Sequence, residues 1–272
     1  MTAQLAYDRA KAEGRSALVG YLPAGFPSYE GAIEAAKVMV DAGCDVIELG
    51  LPYSDPMMDG PVIQDAVHRA LLGGIRVADV LRTVEAVAAT GVPTLVMTYW
   101  NPVDRYGVDA FARDLKSAGG AGLITPDLSP EEAGPWLEAS DAHGLDRVFL
   151  VALSSTDERI DTITRNCRGF VYAASLMGVT GARTAVDTGA PRLVERTRTI
   201  MERNGSTVPV GLGLGVSDGA QAAEVAAFAD GVIVGSAFVR RLLDAPDLPT
   251  GLKDLRVLTT ELATGARNPA GR

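Results

Sequence analysis

The 272-residue sequence contains few cysteines and few histidines, two of each. Cys44 and Cys167 are far apart and neither lies in a C-x-x-C motif, so the pattern indicates neither a disulfide framework nor a zinc signature. His68 and His143 are also isolated, and we interpret both as surface or capping residues, because a metal site needs several convergent ligands. The sequence therefore predicts no metal.

The sequence also lacks long apolar runs and an excess of positive charge. No stretch of about 20 apolar residues could span a membrane, and the N-terminus lacks the apolar segment of a signal peptide, so we expect a cytoplasmic protein. The net charge of -9 argues against nucleic-acid binding. A phosphorylated metabolite remains compatible with this charge, because backbone N–H groups at a helix N-terminus bind anions locally.

Short apolar segments of strand length recur eight times. Most are rich in Val, Ile and Leu rather than strictly alternating, which is typical of parallel strands buried on both faces. The predicted strands are Ala17–Leu22, Asp45–Gly50, Thr94–Tyr99, Gly122–Thr125, Val148–Leu153, Gly169–Ala174, Val208–Gly213 and Gly231–Gly235.

Helical patterns separate these strands. Ser28 is the expected N-cap of the first of them, which runs to Ala42. Alternating strands and helices favour parallel βαβ units, and eight of them favour one (β/α)₈ barrel over residues 1–272, with 265–272 as a frayed polar tail. An open doubly wound sheet is the alternative. The other predicted helices are Val77–Ala89, Asp109–Ala118, Pro130–His143, Asp157–Arg165, Pro191–Arg203, Asp218–Phe228, Ala237–Leu243 and Gly251–Ala263.

Two connections are longer than a barrel requires, Leu51–Arg76 after the second strand and Ser175–Ala190 after the sixth. Both follow the carboxyl end of a strand, which is where barrel enzymes place their chemistry. Long connections at that end are usually functional. We therefore expect the active site between these two loops.

Glu48 is the first candidate for catalysis. Side chains alternate along a strand, so if Ile47 and Leu49 face the helices, Glu48 faces the barrel axis. Burial raises the pKa of a carboxyl group, and a glutamate tuned toward neutrality can both donate and accept a proton near pH 7. The alternative is a glutamate paired with a buried base, but no Lys or Arg lies nearby in sequence.

The loop that follows contains two aspartates. Asp55 precedes a proline and Asp59 a glycine, so both could serve only as turn residues. Pro61 is expected to begin a short helix, which would put Asp59 near its N-terminus and favour the ionised carboxylate. A protonated Glu48 and an ionised Asp59 would indicate a division of labour between acid and base.

Two glycine-rich turns follow the last two strands, Gly211–Gly219 and Gly235–Arg241, and each opens a helix. Glycine lets the backbone approach a ligand closely, and the helix N-terminus offers N–H donors to an anion. Phosphate sites are frequent at these two positions of a barrel. The turns therefore predict a bound phosphate rather than a dinucleotide, because no acidic residue follows at the spacing of a ribose-binding motif.

The connection Leu176–Pro191 is polar and contains Gly178, Thr180, Gly181 and Arg183. Glycine-hinged loops of this length can close over a site and exclude water. The alternative is a surface loop without a catalytic role.

The motifs together closely resemble the α subunit of tryptophan synthase over essentially the whole chain. The ELG-P-SDP-DGP-IQ string is the most specific part. The resemblance is carried, in order along the chain, by ELGLPYSDPMMDGPVIQDA (Glu48–Ala66), TYWNP (Thr98–Pro102), PDLSPEE (Pro126–Glu132), GVTGART (Gly178–Thr184), and the GLGVS and GSAF turns.

The resemblance implies a role for eleven residues. The catalytic pair is Glu48 and Asp59. The phosphate contacts are Gly181, Gly215, Gly235 and Ser236. The pocket and lid positions, with Thr180 bonded to the catalytic aspartate, are Tyr21, Tyr99, Tyr172, Thr180 and Leu214.

The function implied by the resemblance is cleavage of indole-3-glycerol phosphate into indole and glyceraldehyde 3-phosphate. Indole would pass through a tunnel to a β subunit in an αββα assembly, with pyridoxal phosphate on the β subunit and no cofactor on this chain. Alternatives are a free-standing indole-3-glycerol-phosphate lyase, another phosphate-binding barrel such as an isomerase, and a regulatory module that activates a β partner.

The sequence departs from the resembled family at two positions. Pro23 stands where the family often has Thr, and we expect it to stiffen the exit of the first strand. Ala121 stands where the family often has Asp, and we expect an effect on stability or the partner surface. Met57 and Met58 lie in a variable loop that we expect to touch the β subunit.

Overall fold

The computed structural model describes residues 1–174, 189–213 and 215–270. In this part of the chain one parallel sheet runs in the order β5-β4-β3-β2-β1-β9-β8-β7-β6. The strands are β1 (Ala17–Pro23), β2 (Val46–Gly50), β3 (Thr94–Met97), β4 (Gly122–Ile124), β5 (Asp146–Val148), β6 (Leu150–Ala152), β7 (Val171–Ala174), β8 (Val210–Gly213) and β9 (Gly231–Val234).

The two ends of this order are consecutive in the chain. Only Phe149 separates β5 from β6, so the backbone itself joins the sheet into a barrel. The predicted single strand Val148–Leu153 is therefore wrong in detail. Its first residue belongs to β5, which begins at Asp146 and pairs with β4, whereas β6 pairs with β7. The predicted (β/α)₈ class is confirmed.

Helices follow the strands and form the outer layer. Ser28 caps the second helix as predicted, because its side chain accepts a hydrogen bond from Gly31 N at 3.0 Å. The helices are α1 (Ala3–Ala12), α2 (Tyr29–Ala42), α3 (Pro61–Leu72), α4 (Val77–Ala88), α5 (Trp100–Tyr106), α6 (Val108–Ser117), α7 (Gly134–His143), α8 (Asp157–Asn166), α9 (Gly189–Asn204), α10 (Gly219–Ala226), α11 (Ser236–Leu243) and α12 (Leu248–Arg267).

Four helices differ most from the sequence prediction, and one of them, α7, begins at Gly134 rather than at the predicted Pro130. The sequence pattern did not predict α1 or the short α5. The last helix, α12, begins at Leu248 and ends at Arg267, so it is longer than the predicted Gly251–Ala263. Gly265 and Ala266 are buried within it, which contradicts a frayed tail from residue 265.

The buried side chains form two clusters. Ile47 and Leu49 belong to the larger one, which lies between the sheet and the helices. Val46 belongs to the smaller one, which fills the barrel together with Val19 and Ile233. The alternation predicted for β2 is thus confirmed, and it leaves Glu48 on the interior face.

Helix α1 closes the barrel at the amino ends of the strands. Its buried residues have helical spacing, and they pack into the interior cluster. Ala121 is also buried in this cluster. Ala121 therefore contributes to the barrel floor and to stability rather than to a surface. The buried residues of α1 are Ala3, Ala6, Tyr7 and Ala10.

Candidate active site

Glu48 lies on the interior face of β2, inside the barrel. It is adjacent to Tyr21 on β1 and to Leu95 on β3 in the strand register. Only 1% of its surface is exposed, and its Oε1 has no hydrogen-bond partner in the described part of the chain. Burial raises the pKa of Glu48 to about 8. The raised pKa agrees with the expectation of a protonated Glu48. In the described part of the chain, no base pairs with Oε1.

Asp59 lies in the loop between β2 and α3 and lines the same pocket as Glu48. The helix predicted after it is confirmed, with Pro61 in its first turn. The backbone oxygen of Asp59 accepts a hydrogen bond from Gln64 Nε2 at 2.8 Å, which fixes the loop to this helix.

The expected shift of Asp59 is wrong in sign. We predicted that the helix N-terminus favours the ionised form, but burial raises the pKa of Asp59 to about 6, because desolvation disfavours the charged form. The pKa of Glu48 is nevertheless higher than that of Asp59, as expected. At pH 7, Glu48 is mainly protonated and Asp59 mainly ionised, so one pocket holds a proton donor and an anion.

Two tyrosines on different strands, one on β1 and one on β7, form part of the pocket wall. Tyr21 and Tyr172 both line it, and burial is the largest cause of the raised pKa of each hydroxyl. Glycines make room for them, because a β-carbon at Gly50 would lie 2.3 Å from the Tyr21 hydroxyl, and one at Gly213 would lie 2.4 Å from the Tyr172 hydroxyl. Each ring therefore occupies space that a glycine on a neighbouring strand leaves free.

Tyr99, for which the resemblance implies a wall position, is not among the described residues that line this pocket. Its hydroxyl accepts hydrogen bonds from the backbone N–H groups of Met57 at 3.0 Å and Met58 at 2.9 Å. Tyr99 therefore holds the loop that carries Asp59. Asp55 of the same loop is exposed and accepts a hydrogen bond from the Ser54 hydroxyl at 2.6 Å, as expected of a turn residue.

Among the described residues, the glycine-rich turns contribute four to the pocket: Gly213, Gly215, Gly235 and Ser236. Gly215 has a φ of +80°, a conformation that favours glycine. Helix α11 begins at Ser236, and its N-cap residue, Gly235, provides no side-chain cap. Its first N–H groups therefore offer an anion site at the pocket edge.

The N-terminus of the neighbouring helix α10 is already satisfied. The Asp218 side chain accepts a hydrogen bond from Gln221 N at 2.9 Å, and the Glu261 carboxylate accepts one from Gly219 N at 2.9 Å. The described lining of the pocket contains no Lys or Arg. The start of α11 at Gly235 and Ser236 is therefore a candidate for anion binding at this edge of the pocket.

The remaining wall is apolar and was not predicted. Together with the polar groups it encloses about 800 Å³, including the open mouth, which is within the range of small-molecule sites. Inward alternation on the strands was the signal that could have identified the strand residues. The unpredicted lining residues are Met58, Ile63, Met97, Leu150, Ala174 and Ile233.

Three of the predicted site residues, Thr180, Gly181 and Leu214, lie outside the described residues, as does most of the predicted lid. Within the described ranges, no group of three or more His, Cys, Asp or Glu side chains is arranged to hold a metal ion. No helix in these ranges is both long and apolar enough to cross a membrane.

Comparison with known proteins agrees with this geometry. The chain matches the family described as tryptophan synthase alpha chain over residues 7–267. The tryptophan synthase alpha chain of Salinispora arenicola is 65% identical over 266 residues, 98% of each chain. That of Streptomyces coelicolor is 60% identical over 262 residues, 96% of this chain and 95% of the relative.

Solved structures give the same result. A structure of Mycobacterium tuberculosis tryptophan synthase superposes with a TM-score of 0.89 at 55% identity, covering 97% of this chain and 98% of the other. Tryptophan synthase subunit alpha from Legionella pneumophila superposes with a TM-score of 0.86 at 33% identity, covering 98% and 99%. The chain therefore belongs to the tryptophan synthase alpha chain family, which catalyses the aldolase half-reaction of tryptophan synthesis.

Proposed function

We propose that this chain cleaves indole-3-glycerol phosphate by a retro-aldol reaction in the pocket that contains Glu48 and Asp59. The observation that carries the proposal is the pair of carboxyl groups in one largely apolar pocket, with pKa values of about 8 for Glu48 and about 6 for Asp59. Two acids whose pKa values differ in this way can divide proton donation and charge stabilisation between them near pH 7.

Glu48 would act first as an acid. Indole is a poor carbanion leaving group, so C3 of the ring must be protonated before the carbon–carbon bond breaks. The proton leaves Glu48 and forms the new C3–H bond, which places positive charge on the ring nitrogen. Glu48, now a carboxylate, then accepts the proton of the adjacent glycerol hydroxyl. The electron pair of the breaking bond returns to the ring, and the products are indole and an aldehyde.

Asp59 would act electrostatically. Its ionised carboxylate accepts a hydrogen bond from the ring N–H and stabilises the positive charge that develops there. Such stabilisation is effective in a pocket shielded from water, where the charges interact strongly. The rings of Tyr21 and Tyr172, together with the apolar side chains of Met97, Leu150 and Ile233, would hold the indole between them.

The phosphate would bind at the amino end of α11. Gly235 and Ser236 supply backbone N–H groups, and Gly215 lets the backbone approach closely. Gly181 is proposed as a further phosphate contact, Thr180 as the lid residue that bonds Asp59, and Leu214 as a wall residue, on the resemblance alone. Tyr99 is proposed to act through the Asp59 loop.

The partner we propose is a tryptophan synthase beta chain in an αββα assembly. Pyridoxal phosphate would belong to that chain, and the chemistry proposed for this one requires no metal or organic cofactor. Met57 supports a contact near the pocket, because it is 74% exposed on the loop that carries Asp59. Biosynthesis of an amino acid favours a cytoplasmic location.

The decisive experiment assays the purified chain with indole-3-glycerol phosphate, with and without a beta chain. We expect slow cleavage alone and faster cleavage with the partner; rapid turnover alone would indicate a free-standing lyase. Glu48→Gln should lower kcat by about 10³-fold, and Asp59→Asn by about 10²-fold, with substrate binding retained.

The matched control is Asp55→Asn, which changes an exposed carboxylate in the same loop. It should leave kcat unchanged. Wild-type turnover by Glu48→Gln would refute the acid–base role. A chain that never cleaves substrate, yet activates the beta chain, would instead be a regulatory module.

A further inference from the structure

The barrel interior contains a third tyrosine hydroxyl below the pocket. Tyr7 lies on α1, at the amino ends of the strands, and is 2% exposed. Its ring stacks on Phe170, with 5.2 Å between centroids, and Phe170 in turn lies 6.3 Å from the ring of Tyr172. An aromatic column therefore extends from α1 to the pocket wall.

Two glycines on neighbouring strands reserve the space for this phenol. A β-carbon at Gly211 would lie 2.4 Å from the Tyr7 hydroxyl, and one at Gly231 would lie 2.5 Å from the ring and 2.7 Å from the hydroxyl. Gly211 and Gly231 are paired in the strand register. The phenol thus enters the barrel at a point where the paired residues of two adjacent strands are both glycines.

The Tyr7 hydroxyl and Glu48 Oε1 are both buried, and neither has a hydrogen-bond partner in the described part of the chain. Tyr7 shares its interior cluster with Val46. Glu48 follows Val46 by two residues on the same face of β2, which places it about 6–7 Å farther along the barrel axis. The two unpartnered groups therefore occupy neighbouring levels of the barrel interior.

The electrostatics agree with this placement. After burial itself, the charge of Glu48 is the largest cause of the raised pKa of the Tyr7 hydroxyl, ahead of Asp230, Tyr172 and Asp45. Tyr21, Asp59 and Tyr172 share the pocket with Glu48. The tyrosines among these groups carry hydroxyl donors, and Tyr7 approaches from the floor of the barrel, below the pocket.

We propose that Tyr7 is a positioning residue whose hydroxyl stabilises the carboxylate of Glu48 after it has donated its proton. The inference rests on the proposed catalytic role of Glu48. Carboxylate formation in an apolar interior is costly unless a donor faces it. Tyr7 supplies an O–H dipole from the floor of the barrel. This dipole lowers the free-energy cost of forming the Glu48 carboxylate.

The test is the titration of Glu48 itself in Tyr7→Phe. The side-chain carboxyl of glutamate labelled with ¹³C is followed by NMR over pH, and the Glu48 signal is the one missing from Glu48→Gln. Loss of the hydroxyl should raise the midpoint of Glu48 by about 0.5–1 pH unit. The upper limb of the kcat/KM profile should move by the same amount, with KM unchanged.

The matched control is Tyr106→Phe, which removes a hydroxyl that is bonded to Asp114 at the surface, 2.7 Å away. It should leave the Glu48 midpoint where it is. Tyr7→Met is a second variant without the hydroxyl and should reproduce the shift. An unchanged midpoint in both Tyr7 variants overturns the inference even if Glu48→Gln is inactive, whereas an active Glu48→Gln overturns the catalytic proposal.

Discussion

Tyr172 and Gly213 occupy adjoining strands so closely that the tyrosine ring fills the space of a missing β-carbon. A methyl group at position 213 would lie 2.4 Å from the hydroxyl and 2.8 Å from the ring of Tyr172. Tyr172 lines the pocket, and strand β8 packs beside it. The position of this wall is thus determined from the neighbouring strand.

Gly213→Ala should therefore displace Tyr172 into the pocket. We expect kcat/KM to fall by more than about 10-fold and the free energy of unfolding to fall by about 1–3 kcal/mol, because overpacking forces buried side chains from their positions. Steady-state kinetics and urea unfolding measure the two effects. Gly134→Ala is the control, since nothing lies within 4 Å of its added methyl group, and equal effects in both variants would contradict the argument.

The two carboxyl groups predict a bell-shaped dependence of kcat/KM on pH. Activity requires ionised Asp59 and protonated Glu48, so it should fall below about pH 6 and above about pH 8. Asp59→Asn should remove the lower limb, whereas Asp55→Asn should retain it. A profile that rises steadily through pH 9 would be incompatible with Glu48 as the acid.

Much of this site could be predicted from the sequence. The alternation of β2 places Glu48 in the barrel, and the string around Asp59 identifies the loop. The sign of the Asp59 shift could not be predicted, because it depends on burial by side chains from several strands rather than on the local helix. The hydrogen bonds of Tyr99 could not be predicted for the same reason: its contacts with Met57 and Met58 are tertiary.

Two errors in the prediction of the fold have different causes. Strand β5 begins with the charged residues Asp146 and Arg147, so the apolar pattern starts only at Val148 and does not show the break at Phe149. Helix α1 was missed although Ala3, Ala6, Tyr7 and Ala10 have helical spacing. Three of these residues are alanines, so the hydrophobic pattern is weak in the sequence. Their burial depends on packing against the interior of the barrel.

Tyr99→Phe tests the anchor of the Asp59 loop. Removal of the hydroxyl leaves the N–H groups of Met57 and Met58 without this acceptor, and each neutral hydrogen bond contributes about 1 kcal/mol. We expect kcat/KM to fall by about 10-fold through misplacement of Asp59. In the Asp59→Asn background the same substitution should have little effect, and independent, additive losses would argue against the anchor.

Tyr53→Phe provides the control for that experiment. The ring of Tyr53 lies tilted against that of Tyr99, with 5.3 Å between ring centroids, but its hydroxyl accepts a hydrogen bond from Asn101 Nδ2 rather than from the loop backbone. The variant should retain activity close to that of the wild type. A loss as large as that of Tyr99→Phe would assign the effect to general packing of the tyrosine pair.

Asp146 predicts a pH-dependent stability that is independent of catalysis. It is fully buried at the start of β5, and its Oδ2 accepts a hydrogen bond from Ala3 N at 2.6 Å, so it caps α1. Its Oδ1 has no partner in the described residues. Burial raises the pKa of Asp146 to about 6, although the bond from Ala3 opposes the shift.

The folded state therefore binds a proton more tightly than the unfolded state, and the stabilisation is fully present below about pH 4 and lost as the pH rises through about 6. A shift of about two units corresponds to at most about 3 kcal/mol. Asp146→Asn keeps an oxygen acceptor for Ala3 but cannot ionise. Urea unfolding at pH 4.5 and pH 7.5 should show that the wild type loses stability relative to this variant as the pH rises, and parallel pH dependences would show that Asp146 does not titrate in this range.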